Sequence, residues 1–243
     1  MSGHSKWATI HRQKEVNDAR RGKEFTKVAN AITVAVREGG GVTDPESNFK
    51  LRLAVEKARA VNMPKANIER AIERGKGLGA GGQALAEVLY EGYGPGGVGV
   101  LVEVVTDNKQ RTAQVVKNLF DRSGGSLAGP GAVAFQFEKV GQLVVSKKEA
   151  VENQILAIID LGAEEVEEES DGLEVTVPMA ALEEMKKKLT ENGFEVVSAE
   201  PIQKATSLVS VAGESGMQKV VNLLEGLEEL DDVQRVWANA DFA

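Results

Sequence analysis

The chain has no cysteine, which excludes disulfides, thiolate metal sites and cysteine nucleophiles. Its two histidines are His4 and His11, and few carboxylates lie near them in sequence, so no metal site and no cofactor are expected. No run approaches the roughly 20 apolar residues of a transmembrane helix. The opening MSGHSKWATIHRQK has no apolar stretch of signal-peptide length. The expected location is therefore a reducing cytoplasm, without a membrane partner. A Ser-His-Asp set is missing, and so is a carboxylate pair in a recognisable context. No catalytic residue is assigned, no small-molecule substrate is expected, and the chain does not read as an enzyme.

What is present is a globular composition, 42% hydrophobic and 27% charged over 243 residues. That length suggests two or three domains. The net charge of −8 conceals a separation of signs. Met1 to Gly77 holds sixteen Lys and Arg against nine Asp and Glu, a balance of +7, so the remainder carries −15. Such asymmetry points to a polyanion-binding module on an acidic body.

Residues 1–77 read as helical. From about Asn17 to Arg37, Phe25, Val28, Ile32 and Val36 fall on one face of a 3.6 period, and Gly39-Gly40-Gly41 stops the helix. Asp44 and Pro45 then fit an N-cap and first position for a helix carrying Leu51, Val55 and Ala58 inward. Pro64 opens a third helix, with Ile68 and Ile72 on one face and Gly75 at its end. Gly75 to Gly82 has five glycines in eight residues and reads as a linker.

Beyond it strands and helices alternate. Val98–Val105, a helix with Val115, Val116, Leu119 and Phe120 inward, and an alternating Val133, Phe135, Phe137 strand give β-α-β. Leu143–Val145, the Val151/Ile155/Ile158/Ile159 helix, Val166, Leu173/Val175/Val177, the Leu182/Met185/Leu189 helix and Phe194–Ser198 give β-α-β-β-α-β. Leu208–Val211, the Val220/Leu223/Leu224/Leu227 helix and Val233–Ala238 give β-α-β again. The middle stretch is a complete ferredoxin-like unit, and the outer two together make a second. The expected fold class is α+β: an N-terminal helical bundle (1–77) followed by two ferredoxin-like α/β domains. One (139–202) is inserted in the other (83–138 with 203–243), which keeps connections short.

The first candidate site is the basic opening: His4, Lys6, Trp7, His11, Arg12, Lys14, Arg20, Arg21, Lys23 and Lys27. Cations neutralise phosphates, and an indole can stack on a base. Arg20, Lys23 and Lys27 share a helix face, and Arg37, Arg52, Lys57, Arg59, Lys65, Arg70, Arg74 and Lys76 extend the basic surface. A solvated face with Trp7 packed on the bundle is the plainer alternative. The second candidate is the uncharged loop Gly124, Gly125, Ser126, Leu127, Ala128, Gly129, Pro130, Gly131. It reads as a mobile segment that another backbone, or RNA, can approach closely, or as a simple connection. Gly92-Tyr93-Gly94-Pro95-Gly96-Gly97 matches G-x-G-x-x-G but precedes a strand, so it reads as a tight turn needing positive φ and not as a dinucleotide site. Glu164 to Asp171 reads as a solvated acidic edge.

Three long stretches carry a family resemblance. GHSKWATIHRQKEVNDARRGKEFTK, NMPKANIERAIERGKG and YEGYGPGGVGVLVEVVTDNKQRTAQVVKNLFDRSGGSL, in that order, resemble the YebC family, also named the PmpR or mitochondrial translational-activator family. Gln110 and Ser126 stand where asparagine is usual, and Pro130 and Ala132 alter the glycine-rich loop. The resemblance implies a helical bundle and two α/β domains, one inserted in the other. It also implies a regulator of gene expression. One expectation is a DNA-binding transcriptional regulator. The other is a ribosome- or ribosomal-RNA-binding translation factor that assists at difficult sequences such as proline runs. A protein-interaction adaptor using the acidic body is a third reading.

Overall fold

The computed structural model describes residues 18–77, 85–148, 150–170 and 172–242. Three helices come first: α1 (Asp18–Glu38), α2 (Phe49–Ala60) and α3 (Lys65–Gly75). The helical period puts Val28, Ile32 and Val36 of α1 in one core with Leu51, Val55 and Ala58 of α2 and Ile68 and Ala71 of α3. Phe25 and Ile72 pack at its edge. Each fully buried aliphatic side chain stabilises by about 1.5–3 kcal/mol.

Two local expectations are corrected here. Asp44 and Pro45 do not start α2. Asn48 caps it, accepting the Leu51 N–H at 3.1 Å while its amide donates to the Ala35 carbonyl at 2.9 Å. Asn48 is buried, and a carboxylate could not donate to α1 from that place. Asp44 instead closes the preceding turn, accepting from the Glu46 N–H and the Ser47 hydroxyl. Nor does Gly75 terminate α3. The left-handed stop is Gly77, at φ 77°. A Cβ on Gly75 would lie 2.6 Å from Val36 Cβ, so that glycine permits the close crossing of α1 and α3.

The flanking α/β segments supply β1 (Ala86–Tyr93), β2 (Gly99–Thr106), α4 (Lys109–Arg122) and β3 (Ser126–Ala128). After residue 206 come β8 (Val209–Ser210), α7 (Glu214–Glu228), β9 (Val233–Ala238) and β10 (Ala240–Asp241). The sheet order is β3-β1-β2-β9, antiparallel throughout, so β2-α4-β3 is a split β-α-β with β1 between its strands. Val100, Val102 and Val104 are buried, as are Val116 and Phe120 of α4 and Val220, Leu223, Leu224 and Leu227 of α7. Val115 is not part of that core, being 40% exposed.

The expected Val133–Glu138 strand is also corrected. Val133 is buried, Ala134–Gln136 forms a 3-10 turn, and Phe135 is 74% exposed. The Val133 and Ala134 N–H groups are bonded to a carboxylate, Glu91, and cannot join a ladder. The strand β4 begins at Phe137 and runs unbroken to Val145. The strand β1 was not expected, and neither was β3, which lies inside the loop read as mobile.

Residues 137–206 form a separate compact unit, and the flanking segments form the other. The inserted unit runs β4, α5 (Val151–Asp160), β5 (Glu165–Glu169), β6 (Gly172–Pro178), α6 (Leu182–Glu191) and β7 (Val196–Ala205). Its sheet order, β5-β6-β4-β7 and antiparallel throughout, is the ferredoxin-like arrangement of β-α-β-β-α-β. Leu143, Val145, Leu173, Val175 and Val177 of the sheet and Ile158, Leu182, Met185 and Leu189 of the helices form its core. The fold is thus helical at the start and mixed helix and antiparallel sheet thereafter.

Candidate nucleic-acid interface

His4, Lys6, Trp7, His11, Arg12 and Lys14 lie outside the described residues. Arg20 and Arg21 fall in the first turn of α1. One turn on, the Lys23 ammonium donates to the Glu229 carbonyl at 3.1 Å, and Lys27 donates to the Glu228 carbonyl. Those carbonyls end α7, where a helix has unpaired acceptors and partial negative charge. Burial lowers the Lys27 pKa, with the Glu228 charge opposing it and Lys57 and Lys23 adding to it. The two lysines therefore fasten α1 to the end of α7.

Arg74 donates to the Thr33 hydroxyl at 3.1 Å and reaches Asn30 Oδ1 at 3.5 Å, and burial, followed by the charge of Arg37, lowers its pKa. Arg37 donates to the Leu85 carbonyl at 3.1 Å. Arg59, Lys65 and Arg70 are exposed on α2 and α3. Lys65 stands 3.6 Å from Glu69, and Lys76 is 2.6 Å from Glu73.

The glycine-rich loop is built more firmly than its sequence suggests. Ser126–Ala128 pairs with Tyr93, Gly92 and Glu91 of β1. Glu91, only 5% exposed, accepts the N–H groups of Gly131, Val133 and Ala134 at 2.6, 2.7 and 2.8 Å. Burial pushes the Glu91 carboxyl up, but the three backbone donors outweigh it and the pKa lies below the ordinary value. The Tyr93 hydroxyl donates to the Ala132 carbonyl at 2.6 Å. From the other side Asn239 donates to Gln136 Oε1 at 2.6 Å and accepts the Gly99 N–H at 2.7 Å. Between these clamps, Gly129, Pro130, Gly131 and Phe135 remain exposed. Glu91 was missed at the sequence level. A carboxylate at an inward-facing position of a strand beside a glycine-rich loop is the signal that could have found it.

The family models described as the TACO1/YebC protein N-terminal domain and as the TACO1/YebC second and third domain match residues 5–78 and 85–240. The chain belongs to the TACO1/YebC family. A probable transcriptional regulatory protein of Chloroflexus aggregans is 47% identical over 246 residues, covering 100% of this chain and 96% of that one. One from Thermomicrobium roseum is 45% identical over 243 residues, with 100% and 97% covered. The crystal structure of a conserved hypothetical protein from Aquifex aeolicus matches with a TM-score of 0.85 and 42% identity, covering 93% of this chain and 92% of that one.

In this TACO1/YebC chain the Thr106-Asp107-Asn108 stretch has a structural use. Asn108 caps α4 by accepting the Arg111 N–H at 3.0 Å. Asp232 accepts from the Thr106 and Thr112 hydroxyls at 3.1 and 2.6 Å and from Arg111 at 3.1 Å, tying that turn to the α7–β9 connection. Gly96 and Gly97 take φ of 75° and 81°, as expected of a tight turn. Among the described residues, no group of three or more His, Asp or Glu could hold a metal ion, and no helix is long and apolar enough to cross a membrane.

Proposed function

We propose that the protein is a non-enzymatic regulator of gene expression in the cytoplasm that binds nucleic acid through its basic N-terminal region, acting on DNA as a transcriptional regulator. The observation that carries this reading is the charge separation, +7 over residues 1–77 against −15 over the rest. Exposed Arg59, Lys65 and Arg70 on the helices support it, as do the regulatory names of the relatives. The contacts sit on His4, Lys6, Trp7, His11, Arg12, Lys14, Arg20 and Arg21, with Arg70 at the margin. Lys23, Lys27 and Arg74 hold helices together behind them. No small-molecule substrate and no membrane enter this reading.

Electrostatic binding of this kind is steeply salt-dependent, with a slope of about −0.9 per phosphate contact on duplex DNA. A titration of labelled duplex against salt should give several contacts, and changing Arg12, Lys14, Arg20 and Arg21 to glutamine should remove most of them. A salt-independent affinity would contradict the reading. A second reading, a ribosomal-RNA-binding translation factor, is favoured by the loop clamped by Glu91. No charged residue lies between Arg122 and Glu138, so this firm projection suits a crowded site within a ribosome.

A further inference from the structure

A groove of about 410 Å³ runs beside the outward face of α4. Leu119 forms its floor, Val115 edges it, Asn118 and Arg122 line it from α4, Lys23 lines it from α1 and Gly226 from α7. Its size falls in the range of about 300–1,000 Å³ usual for small-ligand sites.

Three features separate it from a packing defect. The first is Gly226, which sits within the 15-residue helix α7 and has no positive φ. Glycine there costs about 1 kcal/mol relative to alanine. A Cβ at Gly226 would meet Leu119 Cδ2 at 3.5 Å, an ordinary contact, so packing does not demand the glycine. Its effect is to leave the groove open. The second is the composition of the α4 face. Gln110, Gln114, Asn118 and Arg122 recur every fourth residue, form one row and are all exposed. Carboxamides and guanidinium groups are the side chains that read base edges, and this row contains no carboxylate. Gln114 donates to Asn118 Oδ1 at 2.9 Å and so orients that amide. The third is position. Lys23 is one turn beyond Arg20 and Arg21, so the groove continues the basic start of α1.

We propose that this groove binds one unpaired nucleotide of a single-stranded nucleic acid. The base lies on Val115 and Leu119, and the Asn118 amide meets its edge. Arg122 takes the phosphate through charge-assisted hydrogen bonds. Lys23 already donates to the Glu229 carbonyl, which places the phosphate at the Arg122 end. A duplex keeps its bases stacked and cannot supply the occupant. The inference rests on the nucleic-acid reading above and adds to it a second contact region and a strand preference.

The test is fluorescence anisotropy of the full chain with labelled single-stranded RNA, single-stranded DNA of the same sequence, and the matching duplex. Gly226→Leu fills the groove without changing charge and should weaken single-strand binding about tenfold, the scale of one lost base contact. Gly226→Ala should give a smaller loss with a raised melting temperature, which separates groove filling from misfolding. Arg122→Gln should flatten the single-strand salt slope by about one phosphate contact. Duplex affinity should not change in any of the three. The RNA and DNA arms identify which strand is the better occupant. Unchanged single-strand affinity in Gly226→Leu and Arg122→Gln, or binding to the duplex alone, overturns the groove proposal while leaving the broader reading in place. Wild type that binds none of the three probes overturns both.

Discussion

Glu91 carries more of the local architecture than any charged neighbour, because its one carboxylate satisfies three backbone donors that have left the ladder. Glu91→Gln keeps the shape but turns one acceptor into a donor facing N–H groups. The expected cost is about 3 kcal/mol, the penalty of leaving buried donors without a charged acceptor. Hydrogen exchange at Val133 and Ala134 should accelerate well before the rest of the sheet opens. Since the folded pKa of Glu91 is lowered, its contribution is present above the ordinary carboxylate pKa and is lost as pH falls through the lowered value. Acid should therefore release this turn in the wild type and have little further effect on it in Glu91→Gln. Gly92 is a second sensitive position. A Cβ there would stand 2.6 Å from the Phe120 ring and 2.9 Å from the Ser126 carbonyl, so Gly92→Ala should cost about 1–3 kcal/mol by overpacking, measured by denaturant melting.

At the scale of elements, the junction of α1, α2, β1 and β2 holds a titrating group. Partial burial first, then the hydrogen bond and charge of Glu38 and the charge of Glu103, raise the Glu87 carboxyl from 4.5 to about 7, with Lys50 opposing. Lys50 is itself bonded to Glu38. A raised acid favours the folded state while protonated, so this contribution is full below about 4.5 and is lost as pH rises to about 7. The side chain remains partly in water, and screening reduces the effect to about 1 kcal/mol. Glu87→Gln should therefore melt about 2–4 °C higher than wild type at neutral and alkaline pH and no higher in acid. An equal shift at all pH values would contradict the assignment. The elements also show what the sequence could reveal. The faces of α1, α2 and α3 were legible because nothing competes with the 3.6 period there, and the inserted unit was legible because each of its strands carries its own apolar alternation. β1 escaped notice because Glu87, Glu91 and Gly92 break its pattern. Val133, Phe135 and Phe137 mimicked a strand because capture of backbone donors by Glu91, forty residues away, leaves no trace in local spacing. Lys23 and Lys27 read as surface cations because only the fold brings the end of α7 beneath them.

For the molecule as a whole, charge separation is the property on which function rests. A basic N-terminal region precedes an acidic remainder, and self-repulsion in that remainder directs a polyanion towards the first. The same asymmetry explains why the net charge of −8 is no guide to the partner. The measurement that tests this account most directly is a sedimentation competition. The protein is offered ribosomes and duplex genomic DNA together near physiological salt, beside a variant with Arg12, Lys14, Arg20 and Arg21 changed to glutamine. Lys23 and Lys27 stay, because they hold α7. The account predicts that wild type sediments with nucleic acid and the folded variant does not. Wild type on DNA would favour the transcriptional reading, and wild type on ribosomes the translational one. Wild type free of both, or a variant that binds as well as wild type, would contradict the claim that the basic N-terminal region is the interface.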